Sequence, residues 1–173
     1  MKRPMWMWLF AMAVAAICPP AQATLITFNT NLAGANENPV NASPATGIGT
    51  VVLDDVLNTI TVDLSFTGLV SSATAAHIHG PALPGVNAGV LFPLSGVPNA
   101  TAGTVPQQVF AITPTQIGQL QSGLFYLNVH SATFPGGEIR GQLPAVPEPL
   151  TLGMLAMGLA AFAGARRVRT LKR

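Results

Sequence analysis

The stretch that decides the fold class is residues 58–67, which read Asn-Thr-Ile-Thr-Val-Asp-Leu-Ser-Phe-Thr. Within it the apolar side chains occupy every second position, as Ile60, Val62, Leu64 and Phe66, and polar side chains fill the positions between them. A period of two residues indicates a β-strand with one face packed inward and the other in water. The stretch therefore predicts a half-buried strand.

Segments on either side of this strand carry weaker forms of the same pattern. Residues 26–32 and 48–53 are predicted strands, and the polar corner at residues 54–55 joins the second of them to the central strand. Residues 90–94 also place their apolar side chains on one face. Pro93 lacks an N–H group for the ladder, so it predicts that this segment is an edge strand or contains a bulge.

The C-terminal half of the pattern contains one predicted helix and further strands. Residues 109–112 read as a short strand, after which Thr113 is placed as an N-cap and Pro114 as the first helical residue. Residues 124–130 and 138–143 alternate again and are separated by a Pro-Gly-Gly turn. Seven or eight short strands predict a mostly β fold, an antiparallel Greek-key-like β-sandwich or a partly closed barrel.

The N-terminal segment, residues 1–23, is predicted to be a secretory signal peptide. A positively charged start precedes an apolar run over residues 5–17, and Ala21 and Ala23 fit the small-x-small cleavage pattern. Cys18, the one cysteine of the chain, lies in the predicted leader. The mature chain is then expected to have no disulfide or thiolate ligand and to depend on packing for its stability.

The C-terminal tail, residues 144–173, combines a Pro-Glu-Pro motif, an apolar run over residues 150–165 and a basic end over residues 166–173. Its motif residues are Pro147, Glu148, Pro149, Arg166 and Arg167. This order resembles a PEP-CTERM sorting signal, and a plain membrane anchor is the alternative. The resemblance implies a C-terminal hydrophobic helix that transiently anchors the chain in the inner membrane of a Gram-negative bacterium. It also implies processing by an exosortase-type enzyme and delivery to the outer surface or the exopolysaccharide matrix.

The distribution of charge argues against a nucleic-acid partner. The formal net charge of +2 and the pI of 9.2 come from basic residues at the two ends. Between residues 24 and 143, Arg140 is the one basic residue, against five acidic ones. A nucleic-acid-binding surface needs clustered basic side chains on the folded part, which this sequence does not supply.

The three histidines, His77, His79 and His130, are the strongest candidates for chemistry. On an extended strand His77 and His79 project from one face, and His130 ends the polar face of another strand. With Glu138 as a fourth ligand, they predict a copper or zinc site if the strands are neighbours. The alternative is that the histidines form structural hydrogen bonds to nearby loops and to Glu138. Glu138 and Arg140, two residues apart on one face, are expected to form a structural ion pair rather than an acid–base pair.

Three blocks of the sequence resemble the signature of the chordin-type (CHRD) domain: residues 34–39, which include Glu37, residues 76–81, and residues 126–143. The resemblance spans essentially residues 24–143, and this segment is treated as one domain. It implies an extracellular, mostly β domain similar to immunoglobulin-like or copper–zinc superoxide dismutase sandwiches, with no settled activity. From the residues alone, Glu37 is as well suited to bracing its turn-rich loop as to binding a ligand.

Three functions remain on the sequence alone. The first is a non-catalytic module of the cell surface or exopolysaccharide matrix, which binds polysaccharide or surface proteins and needs no cofactor. The second is an envelope protein that binds copper or zinc through the histidine cluster. The third, dismutase chemistry, is disfavoured because three histidines are too few for a two-metal site. Hydrolase motifs such as G-x-S-x-G and H-E-x-x-H do not occur, so we expect no enzyme activity.

Overall fold

The computed structural model describes residues 25–146. Within this range the chain is mostly antiparallel β-structure with one short α-helix. The strands are β1 Leu25–Ala33, β2 Thr46–Asp54, β3 Thr59–Thr67, β4 Ala73–His79, β5 Val90–Leu94, β6 Gly103–Ala111, β7 Tyr126–Ser131 and β8 Ile139–Gln142. A single 3-10 turn, Gly34–Asn36, follows β1, and the helix α1 is Pro114–Gln121.

The eight strands form a single sheet in the order β5-β4-β7-β8-β1-β2-β3-β6, which curls into a nearly closed barrel. Alternate residues of each strand point into the barrel, where Phe28, Val51, Ile60 and Leu127 are almost completely buried. The predicted alternation of β3 is confirmed, because every inward side chain from Ile60 to Phe66 belongs to this core. Apolar burial of this kind supplies the main driving force for folding.

Side chains rather than a backbone ladder join the two edge strands, β5 and β6. The Gln108 side-chain amide accepts from the Ser95 N–H group at 2.9 Å and donates to the Ser95 carbonyl at 3.0 Å. It thereby makes the two hydrogen bonds that a neighbouring strand would otherwise provide. Pro93 in β5 and Pro106 in β6 each lack an N–H group. The predicted edge position of residues 90–94 is confirmed.

The helix is also confirmed, with the predicted N-cap. The Thr113 hydroxyl accepts from the Gln116 N–H group, and the Gln116 side chain accepts from the Thr113 N–H group. The prediction for residues 109–112 was too short, since β6 begins at Gly103. The β3–β6 pairing shifts register between Val62 and Leu64 of β3, opposite the part of β6 that contains Pro106. This shift interrupts the alternation of side chains in β6. The predicted C-terminal hydrophobic helix lies outside the described residues.

Candidate metal centre

Strand pairing brings the three predicted histidine ligands onto one face of the sheet. In the β4–β7–β8 part of the sheet, His77 lies opposite Asn128, and Asn128 lies opposite Arg140. In the next row of that face, His79 lies opposite Tyr126. Side chains alternate across a strand, so these residues project away from the barrel core. The strand with His77 and His79 therefore lies next to the strand with His130, as the metal-site prediction requires.

The three imidazoles converge at this face. One nitrogen from each of His77, His79 and His130 lies within 4.8 Å of the others. The shortest separation is 2.9 Å, between His77 Nδ1 and His130 Nε2. Zinc bonds imidazole nitrogen at about 2.0–2.1 Å, which puts tetrahedral ligands about 3.4 Å apart. The separations in the metal-free protein, from 2.9 Å to at most 4.8 Å, lie on both sides of this spacing, so the rings would have to shift to bind one ion.

Backbone carbonyl groups determine the tautomers of two of the histidines. His79 Nδ1 lies 3.0 Å from the Ala88 carbonyl oxygen, and His130 Nδ1 lies 2.9 Å from the Pro135 carbonyl oxygen. A carbonyl oxygen only accepts, so each Nδ1 carries the proton and each Nε2 presents a lone pair. His79 is 8% exposed, and its Nε2 has no hydrogen-bond partner among the residues that the structure describes.

The third histidine completes this arrangement. Because His130 Nε2 is an acceptor, His77 Nδ1 must donate the hydrogen bond between the two rings in the metal-free protein. Transfer of that proton from Nδ1 to Nε2 of His77 keeps the ring neutral and would leave lone pairs on His77 Nδ1, His79 Nε2 and His130 Nε2. Carbonyl partners on the non-coordinating nitrogen are the usual means by which proteins orient metal-binding histidines.

The surroundings of the cluster favour the neutral imidazoles that metal binding requires. Burial, then the charges of His130 and His79, lowers the pKa of His77 to about 4. Burial is also the largest cause that lowers the pKa of His79 and of His130, and the hydrogen bonds that these rings donate to Ala88 and Pro135 carbonyl groups oppose it. A metal ion therefore displaces few protons from these rings at neutral pH.

Glu138 does not join the imidazoles, which corrects its assignment as a fourth ligand. Its Oε1 atom accepts from the Ser43 hydroxyl at 2.6 Å and from the Val70 N–H group at 2.7 Å. The side chain is completely buried. Glu138 precedes β8 and follows Gly137, whose φ is +134°, so the strand alternation that would place it beside Arg140 does not reach it.

The predicted Glu138–Arg140 ion pair was wrong, because Arg140 pairs with Glu37 instead. Arg140 Nε lies 3.3 Å from Glu37 Oε2, and both side chains are 3% exposed. Asn128 donates to the other Glu37 oxygen at 2.6 Å. Burial raises the pKa of the Glu37 carboxyl group, and the charge of Arg140 opposes that rise. Glu37 therefore does more than brace its own loop, since it joins that loop to β7 and β8.

Sequence reasoning did not find the support that Tyr126 gives this face. Its ring is parallel to the His79 ring, with centroids 4.9 Å apart, and the Arg140 guanidinium carbon lies 4.0 Å from the Tyr126 centroid. Tyr126 lies in the third signature block, two residues before Asn128, which was the one available signal.

The terminal motif residues, Ala21, Ala23, Pro147, Glu148, Pro149, Arg166 and Arg167, lie outside the described residues. Among residues 25–146, no helix is long and apolar enough to cross a membrane.

Comparison with known proteins gives one family. The family described as the CHRD domain matches this chain over residues 28–143, which contains the three histidines, Glu37 and Arg140. No curated protein and no solved structure matches the chain.

Proposed function

Because the chain belongs to the CHRD domain family, a β-fold module of extracellular proteins, we propose that it is an exported, non-catalytic module that binds a transition-metal ion. The ligands are His77, His79 and His130. The observation that carries this proposal is the convergence of three imidazole nitrogens within 4.8 Å, with two Nε2 lone pairs fixed by carbonyl groups. Imidazole nitrogen suits both zinc and copper.

The proposed place of action is the cell envelope. The predicted leader and the PEP-CTERM-like tail both support export, sorting by an exosortase-type enzyme, and retention at the outer surface or in the exopolysaccharide matrix. The generally extracellular character of the family agrees with export. The proposed module does not carry out chemistry of the copper–zinc dismutase kind, because the three imidazoles of residues 25–146 fall short of that two-metal centre.

The direct test is isothermal titration of the full chain with Zn²⁺ and with Cu²⁺, in detergent and in a Cys18→Ser background that removes the competing thiol. The expected result is one ion per chain, and its loss in a folded variant with His77, His79 and His130 all changed to alanine. Failure of the folded wild-type chain to bind either ion would overturn the proposal.

Two control variants locate the site. Glu138→Gln is expected to bind the ion as the wild-type chain does, because that carboxylate already accepts from Ser43 and Val70. Asp63→Asn removes a half-buried carboxylate on β3 that accepts from Gln107, and it is also expected to leave binding unchanged. Binding that survives in the triple histidine variant but fails in either control would place the ion elsewhere.

A further inference from the structure

The Ala88 peptide group links Tyr126 to His79. Its N–H group donates to the Tyr126 hydroxyl oxygen at 3.0 Å, and its carbonyl oxygen accepts from His79 Nδ1 at 3.0 Å. The Tyr126 hydroxyl also lies 3.4 Å from that carbonyl oxygen. One phenol therefore orients the peptide group whose carbonyl determines the His79 tautomer, and its ring stacks on the same imidazole.

We infer that Tyr126 is a positioning residue for the metal centre, which holds His79 with Nδ1 protonated and Nε2 directed at the ion. The inference rests on the proposed metal-binding function and adds the residue that prepares the site. The buried His79 Nε2, without a partner among residues 25–146, supports it. A histidine that is held in one tautomer before the ion arrives loses less freedom on binding it.

Arg140 extends this support to the segment that carries Ala88. Its guanidinium group donates to the Val86 carbonyl oxygen at 3.2 Å and to the Asn87 side-chain oxygen, and it packs on the Tyr126 ring. Residues 86 and 87 are thus hydrogen-bonded to Arg140 of β8, and residue 88 is hydrogen-bonded to Tyr126 of β7. Lysine at position 140 would keep the charge that faces Glu37 but lose the planar, forked donor.

Two readouts test the inference. In the metal-free chain, long-range ¹H–¹⁵N NMR reports which His79 nitrogen carries the proton, and Zn²⁺ titration reports affinity. Tyr126→Phe keeps the ring and removes the hydroxyl oxygen, so we expect a mixture of His79 tautomers and a loss of Zn²⁺ affinity of about tenfold or more. Arg140→Lys is expected to shift both readouts in the same direction, and it provides a second variant should Tyr126→Phe not fold.

Asn38→Ala is the matched control. Asn38 donates to the Gly85 carbonyl oxygen at 2.7 Å, so this variant loses one hydrogen bond to the same loop without touching Ala88 or His79. It is expected to keep the wild-type tautomer and affinity. A single Nδ1–H tautomer in folded Tyr126→Phe, or equal affinity losses in Tyr126→Phe and Asn38→Ala, would overturn the inference. The metal-free spectrum decides the positioning role even if the wild-type chain binds no ion.

Discussion

The buried Glu37–Arg140 pair makes a strong prediction about stability. At the 3.3 Å that separates Arg140 Nε from Glu37 Oε2, an effective dielectric constant of 20 gives an attraction of about 5 kcal/mol. Arg140→Met removes the cation and leaves a carboxylate that water cannot reach. Breaking one side of such a pair costs about 3–5 kcal/mol, so we expect a loss of this size in the free energy of unfolding at pH 7.

A double-mutant cycle separates this electrostatic effect from packing. Glu37→Gln removes the charge but keeps a carbonyl oxygen that can accept from Asn128. The variant carrying both changes is therefore expected to be more stable than Arg140→Met alone. The assay is urea unfolding of the four chains, followed by circular dichroism. A coupling energy below about 0.5 kcal/mol would refute the reasoning, because independent sites add to within that margin.

The pH dependence of Arg140→Met provides a second check. Burial raises the pKa of Glu37 in the folded chain, so the folded state binds its proton more tightly than the unfolded state does. The stability that comes from this group is complete below the unfolded pKa of about 4.5 and is lost as the pH rises through the folded pKa. Without Arg140 this decline with rising pH should become steeper, and an unchanged slope would contradict the assignment.

The remaining predictions concern protonation, a glycine and the helix cap. The lowered pKa of His77 means that its contribution to stability is present above pH 6.5 and lost as the pH falls towards about 4; urea unfolding across this range should show that decline, and His77→Asn should flatten it. Gly137→Ala should destabilise the chain by about 1–3 kcal/mol, since φ is +134° and the new Cβ would lie 2.5 Å from Asn128 Nδ2 and 2.7 Å from Glu37 Oε1. A melting temperature equal to that of the wild type would contradict this clash. Thr113→Ala should cost about 1 kcal/mol in urea unfolding, and Thr113→Ser should restore most of it if the cap hydroxyl is responsible.

Local pattern was sufficient to predict most of the strands. The alternation in residues 58–67 identifies β3 because one face of that strand is buried and the other is not. The same argument fails for β6, where a bulge opposite Asp63 interrupts the period and Pro106 removes an N–H group. An alternating sequence predicts a strand that has one buried face. It does not predict a strand, such as β6, whose extent is determined by pairing with a neighbouring strand.

The candidate site was predictable only in part, for a related reason. His77 and His79 share a face on any extended strand, so their proximity follows from spacing alone. The partner of Arg140 depends instead on strand order, because β1 lies beside β8 and the turn that follows β1 carries Glu37 over the polar face. No local signal distinguishes Glu37 from Glu138 as that partner.

The hydrogen bonds between Gln108 and Ser95 affect how copies of this protein can associate through the edges of the sheet. A sheet that ends in two free edges offers each edge as a template on which another chain can polymerise. Here one glutamine amide occupies the hydrogen-bonding groups of Ser95, and a proline interrupts the donors of each edge strand. These features reduce the number of free backbone groups through which two copies of this domain could pair edge to edge.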